Sequence, residues 1–436
     1  MLSLDRIADA MESLVESSPE HAAMMRGALP YVTSMMSFIA RQNPDWTGSD
    51  EDLSLLIGPH LFSAQIQAIT AYAAQGKPTI GLCAHLKTYR KHFGALAEKL
   101  TAAGFTVIKL YGVVCDDEFE HGSNAFYAGM GMMKFLDCLD AVVITTLSPG
   151  LPDQAVKVIL LHDIFDSPLG DPKEFLGLAS SMDYIFVPSQ PSMNATTRVF
   201  GMFEETGIIP SKSVQLVPGG YPRLDGNIKA FEKAACDEKT IVYAPTMTLE
   251  SWQSYASVAQ WGRGIIDTIR QSFPDYTVIF RPHPNSHSNP AVAALMSDVA
   301  GLSGCEVDSN SSDYMTSYGR AKLLVTDMSG TAFTFAFTTG RPVVFFSPND
   351  AEARLANPGV SYFDMRDQVG VVATSLEELP GKVAIALDPS YRAHAEKLCR
   401  QAIFNLGHSE DYFVRLLPDM LARRKLPEAM AFGLDP

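Results

Sequence analysis

The 436-residue sequence lacks several features that mark common functional classes. Its six cysteines are scattered, with no Cys-x-x-Cys pair and no histidine cluster at ligand spacing, so neither a disulfide framework nor a structural zinc site is indicated. No apolar run reaches the length of a membrane span, and the first six residues lack the basic start of a signal peptide. We therefore expect a protein of the reducing cytoplasm.

Positive charge is also scarce. The net charge is -15, which argues against a nucleic-acid partner and against a broad anionic-membrane footprint, because both depend on clustered Lys and Arg. Hydrophobic residues make up 47% of the chain, as in an ordinary globular protein, and the length suffices for two domains. The composition therefore describes an ordinary globular protein that is not expected to bind nucleic acid.

The chain has three predicted parts. Residues 1–45 form a helical segment whose Met-rich stripe is typical of a core or a subunit contact. From residue 46 onward strand-like runs alternate with helical patterns, which predicts an α/β fold with two Rossmann-like domains, 46–208 and 209–436, facing a cleft. Helical stretches at 391–404 and 411–421 have a length that could carry them back over the first domain. No G-x-G-x-x-G follows the first strand.

Residues 322–346 form the most informative segment. A strand-like run ends at Asp327, an apolar helix begins at Thr331 and stops at Gly340, and a second strand follows. Ser329, Gly330 and Thr331 thus open a helix at the carboxyl end of a strand, where backbone N–H groups and the helix dipole can bind a phosphate. The alternative is an ordinary capped helix of a parallel sheet.

His162 and His283 follow two other predicted strands. His162 comes after the run 156–161, where it could act as a general base for a hydroxyl nucleophile or merely cap the strand end. His283 stands in Arg281-Pro-His-Pro, where the prolines stiffen a loop that presents a cation and an imidazole, as a phosphate clamp requires. Thr246 follows a further strand, and the turn 218–225 presents Arg223 and Asp225.

The one basic cluster of the acidic chain lies at residues 84–92, after the first strand. It includes His85, Lys87 and Arg90, and it could attract an anionic acceptor to the cleft. The alternative is a solvated first helical turn whose cations pair with nearby acids.

Five of these motifs, taken in order, resemble those of the CDP-glycerol glycerophosphotransferase family, whose members build teichoic acid and phosphate-containing capsules. The motifs are His-Asp at 162, Gly-x-Pro-Arg-x-Asp at 220–225, Tyr-Ala-Pro-Thr at 243–246, Arg-Pro-His-Pro at 281–284 and Thr-Asp-Met-Ser-Gly at 326–330. The resemblance extends over about residues 155–350.

The resemblance implies a GT-B-like fold with the acceptor on the first domain and the nucleotide donor on the second. It implies His162 as the catalytic base and His283 as a second essential histidine near the donor phosphates. The implied donor-binding residues are Arg223, Thr246, Arg281, Asp327, Ser329, Gly330 and Thr331. The implied partners are a CDP-activated donor and a glycan or lipid-linked acceptor, the latter compatible with a peripheral position on the inner face of the membrane.

The sequence also departs from the family pattern. Leu161 precedes His162 where the family has an aromatic residue, Asp163 replaces a glycine, Gly170 stands near the usual lysine, and Thr334 replaces an acidic residue. These changes indicate a divergent branch with an altered acceptor or donor end. Three alternatives therefore stay open: a glycosyltransferase that uses a nucleotide sugar, a UDP-sugar 2-epimerase, and a non-catalytic binding protein.

No Asp-x-Asp motif follows a strand in the second half, and the segment 306–308 is predicted to be a solvated turn. A tightly bound metal or other cofactor is therefore not expected, although Mg²⁺ held loosely by the donor phosphates would be compatible with the sequence.

Overall fold

The computed structural model describes residues 2–74, 76–115, 117–119, 122–162, 172–208, 210–234, 237, 239–248, 258–310, 313–356 and 361–433. The departures from the family pattern at Asp163 and Gly170 lie outside these residues.

Fourteen strands occur in the described part of the chain: β1 Thr79–Ala84, β2 Thr106–Tyr111, β3 Ala125–Tyr127, β4 Ala141–Ile144, β5 Val156–Leu160, β6 Tyr184–Val187, β7 Val214–Pro218, β8 Thr240–Tyr243, β9 Thr277–Phe280, β10 Cys305–Val307, β11 Leu323–Thr326, β12 Val343–Phe346, β13 Gly370–Ala373 and β14 Met430–Phe432.

The helices of the same residues are α1 Leu4–Ser17, α2 Pro19–Gln42, α3 Asp50–Ala73, α4 Leu96–Ala102, α5 Met130–Met133, α6 Pro172–Ala179, α7 Gln190–Phe200, α8 Phe203–Thr206, α9 Pro222–Lys233, α10 Val258–Ser272, α11 Pro290–Ala300, α12 Met315–Arg320, α13 Thr331–Thr339, α14 Asp350–Ala356, α15 Ser361–Val369, α16 Leu379–Leu387, α17 Pro389–Ala402 and α18 Ser409–Leu421. Two 3₁₀ helices cover Lys87–Phe93 and Pro284–Ser286.

The first sheet has the strand order β14-β7-β6-β5-β4-β1-β2-β3, in which every pair is parallel except β14 with β7. Two clusters of buried apolar side chains cover its two faces. The apolar pattern of residues 125–136 predicts a helix, but these residues instead contain the edge strand β3 and the short helix α5. The predicted domain boundary at residue 208 puts β7 in the second domain, but β7 pairs with β6 and belongs to this sheet.

The second sheet is parallel throughout and has the order β10-β9-β8-β11-β12-β13. Strands β8, β9, β11 and β12 are fully or largely buried because helices cover both faces, which explains their continuous apolar runs, whereas the edge strands β10 and β13 are partly exposed. The segment 306–308, predicted to be a solvated turn, is in fact the end of strand β10 and its first following residue. Because β8, β9 and β11 are neighbours, the motifs that follow them meet at one edge of the sheet.

The N-terminal helices α1, α2 and α3 pack on one another around a core of their own. Helix α3 begins with a capping box in which Ser49 and Asp52 satisfy each other's backbone N–H groups. The helical segment therefore extends to Ala73, beyond the predicted limit at residue 45.

The C-terminal helix α18 returns to the first sheet. It buries Tyr412, Phe413, Leu417 and Met420 in one of the two cores of that sheet, and β14 then adds an antiparallel edge strand. The last part of the chain thus completes the first domain.

In the described residues, no helix combines the length and the apolar character that crossing a membrane requires.

Candidate active site

His162 lies directly after β5, with a half-buried ring whose orientation is fixed by a backbone contact. Its Nδ1 is 2.8 Å from the carbonyl oxygen of Thr145, which follows the neighbouring strand β4. A carbonyl oxygen can only accept a hydrogen bond, so Nδ1 carries the proton of the neutral ring and Nε2 is its basic nitrogen. The rings of Tyr89 and His92 lie 5.1 and 4.5 Å from that of His162.

The basic cluster at residues 84–92 is divided by its 3₁₀ helix. In such a helix residues i and i+3 lie on the same side. Lys87 and Arg90 accordingly share one side, where Lys87 is 3.4 Å from Asp117 and Arg90 is 3.0 Å from Asp117 and 2.8 Å from Glu118. The alternative in which these cations pair with nearby acids is thus what the structure shows.

The histidines of this cluster are both shielded from water. Both ring nitrogens of His85 are buried with no hydrogen-bond partner in the described structure, and burial lowers the pKa of the ring. His92 is 4% exposed, and its Nδ1 is 2.5 Å from the hydroxyl of Tyr221 at the start of α9. Burial, followed by the nearby His162, Arg223 and Lys91, lowers the pKa of His92 strongly, so its ring is neutral.

Lys91, which stands beside His92, belongs to the cleft rather than to the acidic pair. No carboxylate of the described residues forms an ion pair with it, and its pKa is lowered to about 8 by burial and by the charge of Arg223. Lys87 and Arg90, but not Lys91, were the cations predicted to bind an anion. The three-residue repeat of a 3₁₀ helix was the signal that could have separated them.

Arg223 occupies the second position of α9, and aromatic contacts fix its guanidinium. Its Nε donates to the hydroxyl of Tyr314 at 3.0 Å, and the guanidinium carbon lies 5.0 Å from the centre of that ring. Tyr314 in turn donates to Asn227 at 2.8 Å. Among the described residues no carboxylate forms an ion pair with Arg223, so its charge is available to an anionic ligand.

Asp225 points away from Arg223 and does not line the cleft. Its carboxylate is fully buried and accepts hydrogen bonds from the Ser409 hydroxyl at 3.0 Å and from the Glu410 backbone N–H at 2.9 Å. Burial raises its pKa to about 6. Asp225 therefore caps the first turn of α18, and the motif that presents Arg223 also anchors the returning helix.

Arg281 is 7% exposed, and its guanidinium is occupied within the protein. It donates to Asp308 at 2.5 Å and to the carbonyl oxygen of Asn310 at 2.7 Å, and Asp308 also accepts from Ser317. Arg281 thus holds the segment after β10 that leads to Tyr314. Its direct contact with a phosphate remains a prediction.

His283 has the opposite ring arrangement to His162. Its Nδ1 accepts from the backbone N–H of Asn285 at 3.2 Å, so the proton of the neutral ring is on Nε2. Its pKa is lowered by burial and by the charges of Lys91, His287 and Arg281, which keeps the ring neutral at neutral pH. In the neutral rings, the proton is therefore on Nε2 of His283 and on Nδ1 of His162.

Some of the predicted phosphate-binding residues around α13 are hydrogen-bonded within the protein, and others face open space. Asp327 is buried and accepts from the backbone N–H of Thr246 at 2.7 Å, which ties the loops after β8 and β11 together. The Ser329 hydroxyl accepts from the backbone N–H of Thr331 at 3.3 Å, and the Thr331 hydroxyl bonds that of Tyr318. Gly330 is exposed, and a Cβ built on it meets no atom within 4 Å, so the start of α13 faces open space.

Aromatic contacts connect Arg223 with the start of α13. Tyr314, which holds Arg223, lies 5.2 Å from the ring of Tyr318, and Tyr318 bonds Thr331. The structure thus places His162 beside His92, brings Lys91 near both Arg223 and His283, and links Arg223 to the helix start. Among the described residues no group of three or more His, Cys, Asp or Glu side chains is arranged to bind a metal ion.

Comparison with known proteins agrees with this architecture. Residues 160–406, more than half of the chain, match the family described as CDP-glycerol:poly(glycerophosphate) glycerophosphotransferase. No curated protein matches. The solved structure of the wall teichoic acid polymerase TagF is 16% identical, with a TM-score of 0.55 and coverage of 92% of this chain and 98% of TagF.

Two nucleotide-sugar epimerases are also similar in fold. A putative UDP-N-acetylglucosamine 2-epimerase from Listeria monocytogenes is 12% identical, with a TM-score of 0.58 and coverage of 83% of this chain and 100% of the epimerase. UDP-GlcNAc 2-epimerase from Methanocaldococcus jannaschii is 13% identical, with a TM-score of 0.53 and coverage of 78% and 99%. At these identities the likeness concerns the fold, and it confirms the predicted class of two Rossmann-like domains.

Proposed function

The chain belongs to the CDP-glycerol:poly(glycerophosphate) glycerophosphotransferase family, and from this membership we propose that it transfers a glycerol-phosphate-like group from a CDP-activated donor to a hydroxyl group of a glycan or lipid-linked acceptor. This reaction fits a step in the synthesis of a surface polysaccharide. TagF, which shares the fold, is a wall teichoic acid polymerase, and one of its structures was obtained after a soak with CDPG.

The opposite ring arrangements of His162 and His283 are the observation that carries this proposal. A transfer between a hydroxyl and a phosphorus needs a base on the acceptor side and a donor of hydrogen bonds on the phosphate side. His162 presents Nε2 as a base from the first domain because Thr145 fixes its Nδ1–H. His283 presents Nε2–H from the second domain because Asn285 occupies its Nδ1.

The proposed step is an in-line displacement. The acceptor O–H proton passes to Nε2 of His162, and the acceptor oxygen forms a bond to the phosphorus that bears the glycerol. The bond from this phosphorus to the oxygen of CMP breaks, and CMP leaves with that electron pair. His283 donates a hydrogen bond to a phosphate oxygen, so the protein contributes chiefly positioning and electrostatic stabilisation.

The donor phosphates would lie between Arg223, Lys91 and the start of α13. Both cations lack a carboxylate partner among the described residues, and Gly330 leaves the helix start open. Thr246 and Asp327 support this site by joining the loops after β8 and β11. These groups supply the positive charge that a diphosphate needs, and whether Mg²⁺ adds to it is answered by assays with and without EDTA.

Of the residues predicted to bind the acceptor, two are paired with carboxylates and the third has buried ring nitrogens. Binding by His85, Lys87 and Arg90 remains a prediction, and the two cations would have to exchange Asp117 and Glu118 for the acceptor. Leu29, Phe38 and Leu55 are 47%, 45% and 73% exposed on the N-terminal helices. Such apolar exposure is consistent with the proposed contact of this segment with a second subunit or with the membrane that carries a lipid-linked acceptor.

A ligand panel tests the donor. CDP, CMP, UDP, GDP, CDP-glycerol and UDP-N-acetylglucosamine are added separately, and the melting temperature is followed, because a ligand of the native state raises it by mass action. We expect CDP-glycerol and CDP to stabilise the protein most. Stabilisation by UDP and the UDP-sugar alone would instead favour the nucleotide-sugar transferase or the epimerase.

Substitution of the two histidines tests their roles. H162A should lower kcat for transfer from CDP-glycerol to a glycerol phosphate oligomer by about a hundredfold, because the general base is lost, while the Kd for CDP changes little. H283A should weaken CDP binding as well as turnover. CMP release measures the rates and calorimetry the affinities. A loss of CDP binding in H162A with normal turnover at saturation would assign His162 to the donor site.

A further inference from the structure

His92 connects the candidate base with the second half of the site. Its ring centre lies 4.5 Å from that of His162, while its Nδ1 is 2.5 Å from the hydroxyl of Tyr221. Tyr89 contacts His162 at 5.1 Å and His92 at 5.5 Å. The ring of His162 is therefore packed against two rings of one 3₁₀ helix, and one of these is tied to another element.

The Tyr221 end of this contact belongs to the donor side. Tyr221 is the N-cap residue of α9, and Arg223 lies two residues further along the same first turn. The backbone N–H of Tyr221 donates to the Ser409 hydroxyl at 2.9 Å, which fixes its position against α18. A movement of Arg223 would therefore also move the Tyr221 hydroxyl, because both residues belong to the first turn of α9.

The other end of the 3₁₀ helix is equally constrained. Gly94 has a positive φ of 54°, and a Cβ at this position would meet the carbonyl oxygen of Pro222 at 2.7 Å. The backbone N–H of Ala95 donates to the buried carboxylate of Glu410 at 2.7 Å. His92 therefore has little freedom to move independently of α9 and α18.

We propose that His92 and Tyr221 form a positioning pair that holds the ring of His162 for catalysis and links its orientation to the donor-binding turn of α9. The proposal deepens the proposed function, since it takes His162 as the base of that reaction. His92 suits this role because its ring stays neutral between Lys91, Arg223 and His162. A neutral neighbour adds no like charge when His162 receives the acceptor proton.

The test measures the titration midpoint of the His162 ring by NMR in the full chain, with H162A to assign the signal. Y221F removes one oxygen atom, and H92F removes the ring nitrogens. We expect each variant to shift this midpoint by at least half a pH unit and to lower kcat about tenfold, with the Kd for CDP unchanged within twofold in H92F. H92Q, which keeps a hydrogen-bonding group, should recover part of the loss.

The combined variant H92F/Y221F should be no slower than the slower single variant, because both changes break one contact. Y412F serves as the matched control, because it removes a hydroxyl that bonds Glu428 at 2.8 Å and touches neither histidine. An unchanged His162 midpoint and kcat in folded Y221F would overturn the proposal, as would losses that multiply in the double variant.

CMP release tests the proposed function, and the His162 midpoint tests the positioning pair, so the two can fail independently. If the wild type released no CMP from CDP-glycerol, the transfer reaction would be wrong, yet the His162 midpoint in Y221F and H92F would still decide whether the pair acts on that ring. If H92F failed to fold, Y221F alone would give the same decision, because its ring still fills the space beside His92.

Discussion

At the scale of single residues, the site separates groups that face a ligand from groups that support them. We propose that His162, His283, Lys91 and Arg223 face the ligand, and contacts through His162 Nδ1, His283 Nδ1 and Arg223 Nε orient three of them. Arg281, Asp327 and Thr246 are buried and bond within the protein. A phosphate-binding site needs both kinds, because preorganised donors cost no rearrangement when charge develops.

Arg281 gives the first test of this division. R281A should lower the free energy of unfolding by about 3 kcal/mol, because Asp308 is left largely buried without its partner. R281A/D308A should recover part of this loss, and urea denaturation of R281A, D308A and R281A/D308A completes a double-mutant cycle. If the loss in the double variant equals the sum of the losses in the two single variants, the pair is not coupled.

The same pair distinguishes support from direct contact with the donor. If Arg281 acts by holding the segment that leads to Tyr314, both R281A and D308A should weaken CDP binding. If the guanidinium binds phosphate itself, D308A should leave CDP binding intact or strengthen it. The structure favours the first result, and calorimetric titration of folded protein decides between them.

The place of each motif in the fold was predictable, because each motif follows a strand and the carboxyl ends of parallel strands lie at one edge of the sheet. The direction of each side chain could not be predicted in the same way. Arg223 and Asp225 are two residues apart in α9, yet one faces the cleft and the other caps α18. Likewise the ion pair between Asp308 and Arg281 could not be predicted, since that contact depends on β10 pairing with β9.

At the scale of elements, the start of α13 combines an open approach with a helix dipole. G330D should reduce CDP affinity by at least tenfold, because a carboxylate would occupy the space proposed for a phosphate. The melting temperature should stay equal or rise, since Asp is a favoured N-cap residue. G330A is the control and should bind CDP normally. Normal CDP binding by G330D would place the phosphates elsewhere.

The start of α18 should make stability depend on pH. Asp225 has a folded-state pKa of about 6, above its ordinary value of 3.8, so the folded protein binds this proton more tightly than the unfolded chain does. The stabilisation is complete below pH 4 and is lost as the pH rises to 6, by on the order of 3 kcal/mol. D225N cannot titrate and should lack this fall.

Urea denaturation of wild type and D225N from pH 4 to pH 7 measures this difference. Groups that titrate in both proteins cancel, and a constant offset from the altered cap does not affect the slope. Parallel pH profiles of the two proteins would show that Asp225 does not titrate in this range.

Helices and strands with strong patterns were predictable, and short edge elements were not. Helix α13 begins at Thr331 and is followed by Gly340 in the left-handed conformation, as the sequence indicates. The edge strands β3, β10 and β14 each have three residues, too few for a periodic pattern. The 3₁₀ form of Lys87–Phe93 could not be distinguished from a first α-helical turn by sequence, so the separation of Lys91 from Lys87 and Arg90 was not predicted.

At the scale of the whole molecule, the returning helix makes the first sheet depend on the end of the described chain. A truncation after residue 408 removes Tyr412, Phe413, Leu417 and Met420 from the core. At about 2 kcal/mol for each buried side chain, the loss approaches the net stability of a typical domain. We expect this fragment to be largely insoluble or molten.

A truncation after residue 426 is the control. It removes β14 but retains α18, so it should remain soluble and melt only a few degrees lower. Solubility on expression and circular dichroism of both fragments provide the measurement. A well-folded fragment ending at residue 408 would show that α18 is only an accessory cover.

The position of α18 also bears on how the protein is made by the ribosome. Residues 409–433, which include α18 and β14, are synthesised after strands β1 to β13. During translation the first sheet therefore has one face and one edge uncovered until these residues emerge. All strands of the second sheet lie between residues 240 and 373, so this sheet can form earlier. The first sheet, although most of its strands are made first, is therefore completed after the second, and we expect the growing chain to need a holding chaperone until α18 has been released.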